Sequence, residues 1–171
     1  TRRQRQMCIR DRGNIYSRIM NPTNAVFEDR IAALEGGVAA LGLASGQGAS
    51  AYAIQNLCSH GDNFVASSQL YGGTYNQFKN PFSDMGIEVR FVDPSDPQNF
   101  ADATDDKTRA YYGEVLPNPS FQVFPLQEVA DIGRPLGIPL IVDNTAAPLI
   151  CRPFDHGASI IVHSATKYIG G

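Results

Sequence analysis

Ala158-Ser-Ile-Ile-Val-His-Ser-Ala-Thr-Lys-Tyr-Ile-Gly-Gly171 is the stretch from which the rest of the sequence can be read. Residues 158–163 form an apolar, β-branched run set off by Gly157 and by small polar residues, the pattern of a strand buried on both faces. The run leads into Ser164, Ala165, Thr166 and Lys167, one of three lysines in the chain. An ammonium at the carboxyl end of a buried strand sits in a partly dry place, and desolvation lowers its pKa toward that of a nucleophile. Such an amine can bond a carbonyl carbon. The hydroxyls of Ser164 and Thr166 stand one step away and could meet a phosphate. Taken alone, Ser-x-Thr-Lys also fits a surface lysine in a turn closed by Gly170-Gly171.

Upstream, Gly137-Ile-Pro-Leu-Ile-Val-Asp143 is a second buried run, and it ends in a carboxylate. Two consecutive parallel strands bring their carboxyl ends to one rim of a sheet, where open α/β folds bind ligands. Asp143 and Lys167 therefore share a rim. A carboxylate for a pyridine nitrogen, paired with a lysine for an aldehyde, is what pyridoxal phosphate chemistry requires.

Further elements follow in alternation. Residues 23–35 read as an amphipathic helix capped by Thr23 or Asn24, with Val26, Phe27, Ile31 and Leu34 as its apolar side and Gly36-Gly37 as its stop. Ser45-Gly46-Gln47-Gly48 opens a helix over 47–57. Gly46-Gln-Gly-Ala-Ser-Ala51 matches G-x-G-x-x-A, but a dinucleotide site needs an acidic residue at the end of the next strand, and residues 63–68 end in serines. What remains is a helix amino end whose N–H groups suit a phosphate. Tyr71 lies in the turn after that strand, placed to stack on a flat ring, and a helix then runs to about Met85. Residues 86–92 alternate like a half-buried strand, a short helix surrounds Phe100, and residues 109–115 form a strand closed by the rigid turn Leu116-Pro-Asn-Pro119. A helix over 124–136 stops at Gly137, and residues 146–157 are a connection. This alternation predicts an α/β fold, a mostly parallel sheet with helices on both faces.

The chain has 171 residues and a formal net charge of −3, enough for one core of ordinary composition. It contains no apolar run long enough for a bilayer and no signal-peptide pattern, so no membrane partner is expected. Cys8, Cys58 and Cys151 are unclustered, which points to reduced thiols and a cytoplasmic location. With no ligand spacing among cysteines and histidines, no metal is expected. Residues 1–12 hold five arginines without apolar periodicity. A basic arm can bind nucleic acid. Met7-Cys-Ile-Arg-Asp-Arg12, however, resembles a translated sequencing adapter joined to an acidic domain. The arm is therefore read as non-native, with no nucleic-acid partner. Residues 13–22 read as an extended arm in which Tyr16 and Arg18 point the same way.

Seven motifs in order make the sequence resemble the Cys/Met-metabolism family of pyridoxal-phosphate enzymes over residues 13–171, and within it the sulfhydrylases of O-acetylhomoserine. They are Tyr16-Ser-Arg18, Asn21-Pro-Thr23, Ala44-Ser-Gly-Gln47, Leu70-Tyr-Gly-Gly-Thr74, Leu116-Pro-Asn-Pro119, Ile141-Val-Asp-Asn-Thr145 and Ser164-Ala-Thr-Lys167. The resemblance implies the large domain of a fold-type I (aspartate-aminotransferase-like) enzyme, truncated, with its cofactor pyridoxal 5'-phosphate bonded to Lys167. It assigns Asp143 to the pyridine nitrogen, Asn118 to the ring oxygen with Glu114 in support, and Tyr71 to the ring face and to proton transfer. Ser45, Gly46, Gln47, Ser164 and Thr166 would hold the phosphate, joined by Tyr16 and Arg18 from a neighbouring subunit. It further implies a homo-oligomer, a dimer of dimers with a shared active site. The implied reaction is γ-replacement, converting O-acetylhomoserine and sulfide to homocysteine and acetate in methionine biosynthesis. A cystathionine γ-synthase or γ-lyase of the same family is the alternative. In that family a further portion carries the arginine for the substrate carboxylate. On that basis the chain reads as an amino-terminal fragment lacking a C-terminal domain, a cofactor-binding piece that is inactive alone.

Overall fold

The computed structural model describes residues 16–17 and 19–170. Contacts divide the chain after Gly42 into two compact units.

In the first unit, helix α1 spans Pro22–Glu35. Its cap is Asn21, two or three residues earlier than the Thr23 or Asn24 that the sequence suggested. The Asn21 Oδ1 accepts the N–H groups of Thr23 at 2.9 Å and Asn24 at 3.4 Å. Pro22 can open the helix because its missing N–H would have had no intrahelical partner. Gly36 ends it in the left-handed region at φ 76°, its N–H donating to the Ala32 carbonyl. The Gly42 N–H then donates to Glu28 Oε1 at 2.7 Å, folding the following segment back along the helix. The expected apolar side stays largely open: Val26, Phe27 and Leu34 are exposed and Ile31 half-buried. The returning segment is short and glycine-rich, and it covers little of that side.

The second unit begins with α2, Gly46–Leu57, followed by β1, Asn63–Ser67. Helices α3, Gly72–Lys79, and α4, Pro81–Asp84, come next. The sequence predicted one helix here, but it breaks at Asn80. Pro81 cannot donate to the preceding turn and its ring displaces the carbonyl it would face. Strand β2 is Glu88–Val92, helix α5 Gln98–Asp102 and strand β3 Thr108–Glu114. Helix α6, Leu126–Gly133, continues as a 3₁₀ turn over Arg134–Leu136, the tightening imposed by Pro135. Strand β4 is Leu140–Asp143. A 3₁₀ turn over Pro153–His156 lies inside the predicted loop, and β5, Ile160–Val162, follows it. No described helix is long and apolar enough to cross a membrane.

All five strands run parallel in the order β2-β1-β3-β4-β5. Period-two alternation sorts their side chains onto two faces. On one face Val65, Tyr111, Leu140 and Val142 pack with Phe100 of α5 and Val129 of α6. On the other, Phe64, Ala66, Tyr112 and Ile141 pack with Ile54 of α2, Phe78 of α3 and Phe82 of α4. Edge-on ring contacts tie the second face together, Phe78 meeting Phe64 at 5.0 Å and Tyr112 at 4.8 Å between centroids. Strand β1, between β2 and β3, is buried throughout.

Strand β5 departs from the sequence reading. It is three residues long and lies at one end of the strand order, with Ile160 and Ile161 only half-buried and Ser159 exposed. Among the described residues its pairing partner is β4, and its burial is less than the two-faced burial that the β-branched run suggested.

The strand order places the reversal of winding between β1 and β3. From β1 the chain moves outward to β2, then returns to the far side and proceeds through β3, β4 and β5. Register aligns Glu114 with Asp143 and Asp143 with Val162, so the ends of β3, β4 and β5 form one rim. Such a reversal opens a crevice between neighbouring strand ends.

Candidate active site

The rim is built from the turns that follow β1, β3, β4 and β5, together with the start of α2. Ser45 caps α2, its Oγ accepting the Gly48 N–H at 3.0 Å. A side chain on Gly46 would place its Cβ 2.8 Å from Ser164 Cβ and 3.0 Å from Ser164 Cα. Only glycine lets the amino end of α2 come that close to the turn after β5. Gln47 is fixed on both sides: its Nε2 donates to Thr74 Oγ1 at 3.0 Å, and its carbonyl accepts from Gln77 Nε2 at 3.1 Å.

In the turn after β5, the Lys167 Nζ donates to Ser164 Oγ at 3.2 Å and to Thr166 Oγ1 at 3.3 Å. The two hydroxyls lie 3.1 Å apart. Among the described residues Lys167 is exposed, where its place after a buried strand suggested a partly dry setting. An ammonium, two hydroxyls and the amino end of a helix thus converge, a donor set suited to an anionic group bearing an electrophilic carbon.

Asp143 stands at the end of the adjoining strand. Burial pushes its carboxyl up; the Thr145 hydroxyl and N–H, and the charges of His163 and Lys167, pull it back. The Thr145 N–H donates to Asp143 Oδ1 at 2.9 Å, while Thr145 Oγ1 accepts the Ser164 N–H at 2.8 Å. Thr145 therefore couples the strand end bearing Asp143 to the turn bearing Lys167. The sequence reading gave Thr145 no role, yet a signal was present: a threonine two residues after a strand-end Asp is the setting for a side-chain-to-backbone turn.

At the winding reversal, Glu114 is buried at the end of β3. Its Oε1 accepts the Tyr71 N–H at 2.8 Å. The Asn118 N–H also donates to this carboxylate, so one side chain holds the turns after β1 and β3. Tyr71 precedes α3 and is about half-exposed, its ring lying over Gly73, where an added Cβ would sit 2.5 Å from Tyr71 Cε1. Asn118 is exposed in the turn beyond. A hollow of about 470 Å³ beside α3 and β2 is lined by none of these rim residues.

Glu114 supplies a pH signature. Burial raises its carboxyl from 4.5 to about 7, against the two N–H bonds that favour the ionised form. The folded chain then binds this proton more tightly than the unfolded chain. Stability is highest below the unfolded value and falls as pH rises through the window from 4.5 to about 7. The loss should reach about 3 kcal/mol by pH 8, a shift of roughly two pKa units or a little more at 1.36 kcal/mol each. Urea denaturation at pH 5 and pH 8 should show this slope and its marked flattening in Glu114→Gln; an equal slope in the variant would exclude Glu114 as its source.

Of the other positions singled out from the sequence, Tyr16 is an exposed residue of the first unit, and Arg18 lies outside the described residues. Ser45, Gly46, Gln47, Tyr71, Glu114, Asn118, Asp143, Ser164, Thr166 and Lys167 all belong to the second unit and to elements that meet at the rim.

Comparison with known proteins agrees with this geometry. The model of the family described as Cys/Met metabolism PLP-dependent enzyme matches residues 2–171. The chain is 51% identical over 164 residues to the O-acetyl-L-homoserine sulfhydrylase of Leptospira meyeri, covering 95% of this chain and 37% of that protein. It is 51% identical to the homocysteine/cysteine synthase of Saccharomyces cerevisiae, covering 93% of this chain and 36% of that one. It thus spans a little over a third of the length of these relatives. Among solved structures, one from Campylobacter jejuni, titled as an O-acetylhomoserine (thiol)-lyase with N'-pyridoxyl-lysine-5'-monophosphate, superposes with a TM-score of 0.89 at 39% identity, over 92% of this chain and 39% of that one. The O-acetylhomoserine sulfhydrylase of Wolinella succinogenes gives 0.80 at 35% identity, over 84% of this chain and 41% of that one. With this rim, this parallel sheet and these relatives, the chain belongs to the Cys/Met-metabolism family of pyridoxal-phosphate-dependent enzymes.

Proposed function

We propose that the whole protein is a pyridoxal-phosphate-dependent transferase that converts O-acetylhomoserine and sulfide to homocysteine and acetate. The observation that carries this reading is the meeting of Lys167, Ser164 and Thr166 with the amino end of α2, next to the strand that ends in Asp143. The names of the relatives support the choice of substrates.

The donor set fits the cofactor. Lys167 would bond its aldehyde carbon, and Asp143 would hold its ring nitrogen protonated. Ser45, Gly46, Gln47, Ser164 and Thr166 would take its phosphate, and Asn118 its ring oxygen, with Glu114 holding the Asn118 turn. When bound, pyridoxal phosphate supplies an electron sink that acidifies carbon-bound protons of an amino acid and eases departure of a γ-substituent. Lys167 Nζ, within reach of two hydroxyls, is the group that would carry protons between substrate carbons, and Tyr71 would cover the ring face and assist. In net terms the Cγ–O bond breaks, acetate leaves with the electron pair, and a Cγ–S bond forms from hydrosulfide. The same reading makes the protein a cytoplasmic homo-oligomer acting on small amino acids. In it Tyr16 and Arg18 of one subunit would contribute to the phosphate site of another.

The test is turnover by the whole protein supplied with pyridoxal phosphate, O-acetylhomoserine and sulfide. Homocysteine and acetate should appear in equal amounts and only with cofactor present. Cystathionine as the sole productive substrate would redirect the assignment to a lyase or synthase of the same family.

A further inference from the structure

The two turns that flank the winding reversal are joined twice. The inner joint is the buried Glu114 carboxylate, which takes the N–H groups of Tyr71 and Asn118. The outer joint is the side chain of Gln69, a residue with no part in the proposed chemistry. Its Oε1 accepts the Ser120 hydroxyl at 2.7 Å, and its Nε2 donates to Gln122 Oε1 at 2.9 Å. Gln69 is itself anchored to the sheet: its N–H donates to Ser67 Oγ at 3.0 Å, and that hydroxyl donates back to the Gln69 carbonyl at 3.2 Å. Ser67 is buried at the end of β1. A continuous path thus runs from β1 through Ser67 and Gln69 to Ser120 and Gln122, two and four residues beyond Asn118.

Without the outer joint, Glu114 alone would hold two exposed turns by one bond each. Residues 118–123 are all exposed and Phe121 adopts a positive φ of 52°; the Phe121 N–H donates to the Pro117 carbonyl at 2.8 Å, which shapes this turn without tying it to the Tyr71 turn. Two bonds of a planar carboxamide in opposite senses fix its direction as well as its distance. We infer that Gln69 is a positioning residue that locks the Asn118 turn to the Tyr71 turn, so that the two move as one body. Its bearing on the cofactor rests on the proposed function. There, Tyr71 covers one face of the ring and Asn118 meets its edge, and a lock between them sets the width of the ring slot.

The test has two arms on the whole protein. In the first, without cofactor, hydrogen exchange is followed at the Tyr71 and Asn118 amides, the two that Glu114 accepts. Gln69→Ala removes both side-chain bonds and should speed both amides by roughly fivefold or more. Exchange in β1 and β3 should stay unchanged. Gln69→Glu should restore slow exchange, because its carboxylate accepts from both the Ser120 hydroxyl and a rotated Gln122 amide. Gln122→Ala, a change at an exposed residue, should speed the same two amides from the opposite side. Unchanged amides in Gln69→Ala, acceleration at only one of them, or failure of Gln69→Glu to rescue would overturn the lock. In the second arm, pyridoxal phosphate is titrated by the circular dichroism it acquires on binding. Gln69→Ala should weaken binding several-fold and reduce the induced signal at saturation, and Gln69→Glu should recover both. Faster exchange with unaltered binding would overturn the positioning role. A wild-type protein that binds no pyridoxal phosphate would sink the proposed function instead, while the exchange arm would still decide the lock.

Discussion

Lys167→Ala should abolish covalent attachment of pyridoxal phosphate while leaving the fold intact. Incubation with the cofactor followed by borohydride should leave one pyridoxyl group per wild-type chain, found by peptide mass on Lys167, and none on the variant. The visible absorption of the complex should vanish with it. The chain offers a clean discrimination because it has only two other lysines. Lys79 lies beside the ring of Tyr75, 5.8 Å from its centroid, and lines the hollow next to β2. Lys107 precedes β3, at the end of the sheet away from the rim. Neither has hydroxyls and a helix amino end gathered around it as Lys167 does. Loss should be complete, since no other amine can take the place of a covalent partner. The cost to folding should be under about 0.5 kcal/mol, because Lys167 is exposed and makes only surface hydrogen bonds. Equal labelling of the variant, on Lys79 or Lys107, would refute the placement of the cofactor at this rim.

Gly113→Ala should be the more damaging change for stability. Gly113 lies inside β3, opposite Val142, and an added Cβ would stand 2.5 Å from two atoms of the Phe124 ring. Phe124 cannot step aside easily. It is buried, packed edge-on against Phe100 at 5.8 Å, and belongs to the same cluster as Tyr111 and Val129. The interior is close-packed, so relief must come from the strand or from α6. Overpacking of this kind costs about 1–3 kcal/mol, and the intrusion of a methyl into a ring places the expectation near the upper end. Gly72→Ala is the matched control: nothing lies within 4 Å of its added Cβ, and it should change stability by less than about 0.5 kcal/mol. Urea midpoints of the two variants should differ accordingly; similar midpoints would mean that the Phe124 side of the core is looser than its packing suggests.

Much of this architecture could be read from residues alone, for identifiable reasons. Strands β1, β3 and β4 are buried and mostly bounded by Gly, Pro or polar residues, so their apolar runs carried an unambiguous signal. The carboxyl ends of consecutive parallel strands must share a rim, which is why Asp143 and Lys167 could be placed together from residues alone. Other features were not legible. β5 has the composition of a strand buried on both faces, and nothing in its run of isoleucines and valine says how fully each face is covered. Val26, Phe27 and Leu34 read as a packing face because hydrophobicity reports a tendency to be covered, not what covers it. Lys167 was expected to be partly dry and is exposed among the described residues; what surrounds a turn is set by segments distant in sequence, which a local pattern does not fix. Thr145, Gln69 and the Glu114 bridge act through contacts between turns far apart in sequence, and local patterns are silent about those.

The spread of the rim along the chain has a consequence for assembly. Its parts run from Ser45 to Lys167, and the hydrogen bonds and close approaches that align them, Gly46 against Ser164, Glu114 with Tyr71, and Thr145 with Ser164, join segments separated by tens of residues. In a wholly parallel sheet such contacts form only after long crossovers close, so they come late in folding. No partly folded chain can present the complete rim. A ligand captured there would act as a checkpoint on maturation: it would favour only molecules in which β1, β3, β4 and β5 have all joined the sheet, and stabilise them by mass action.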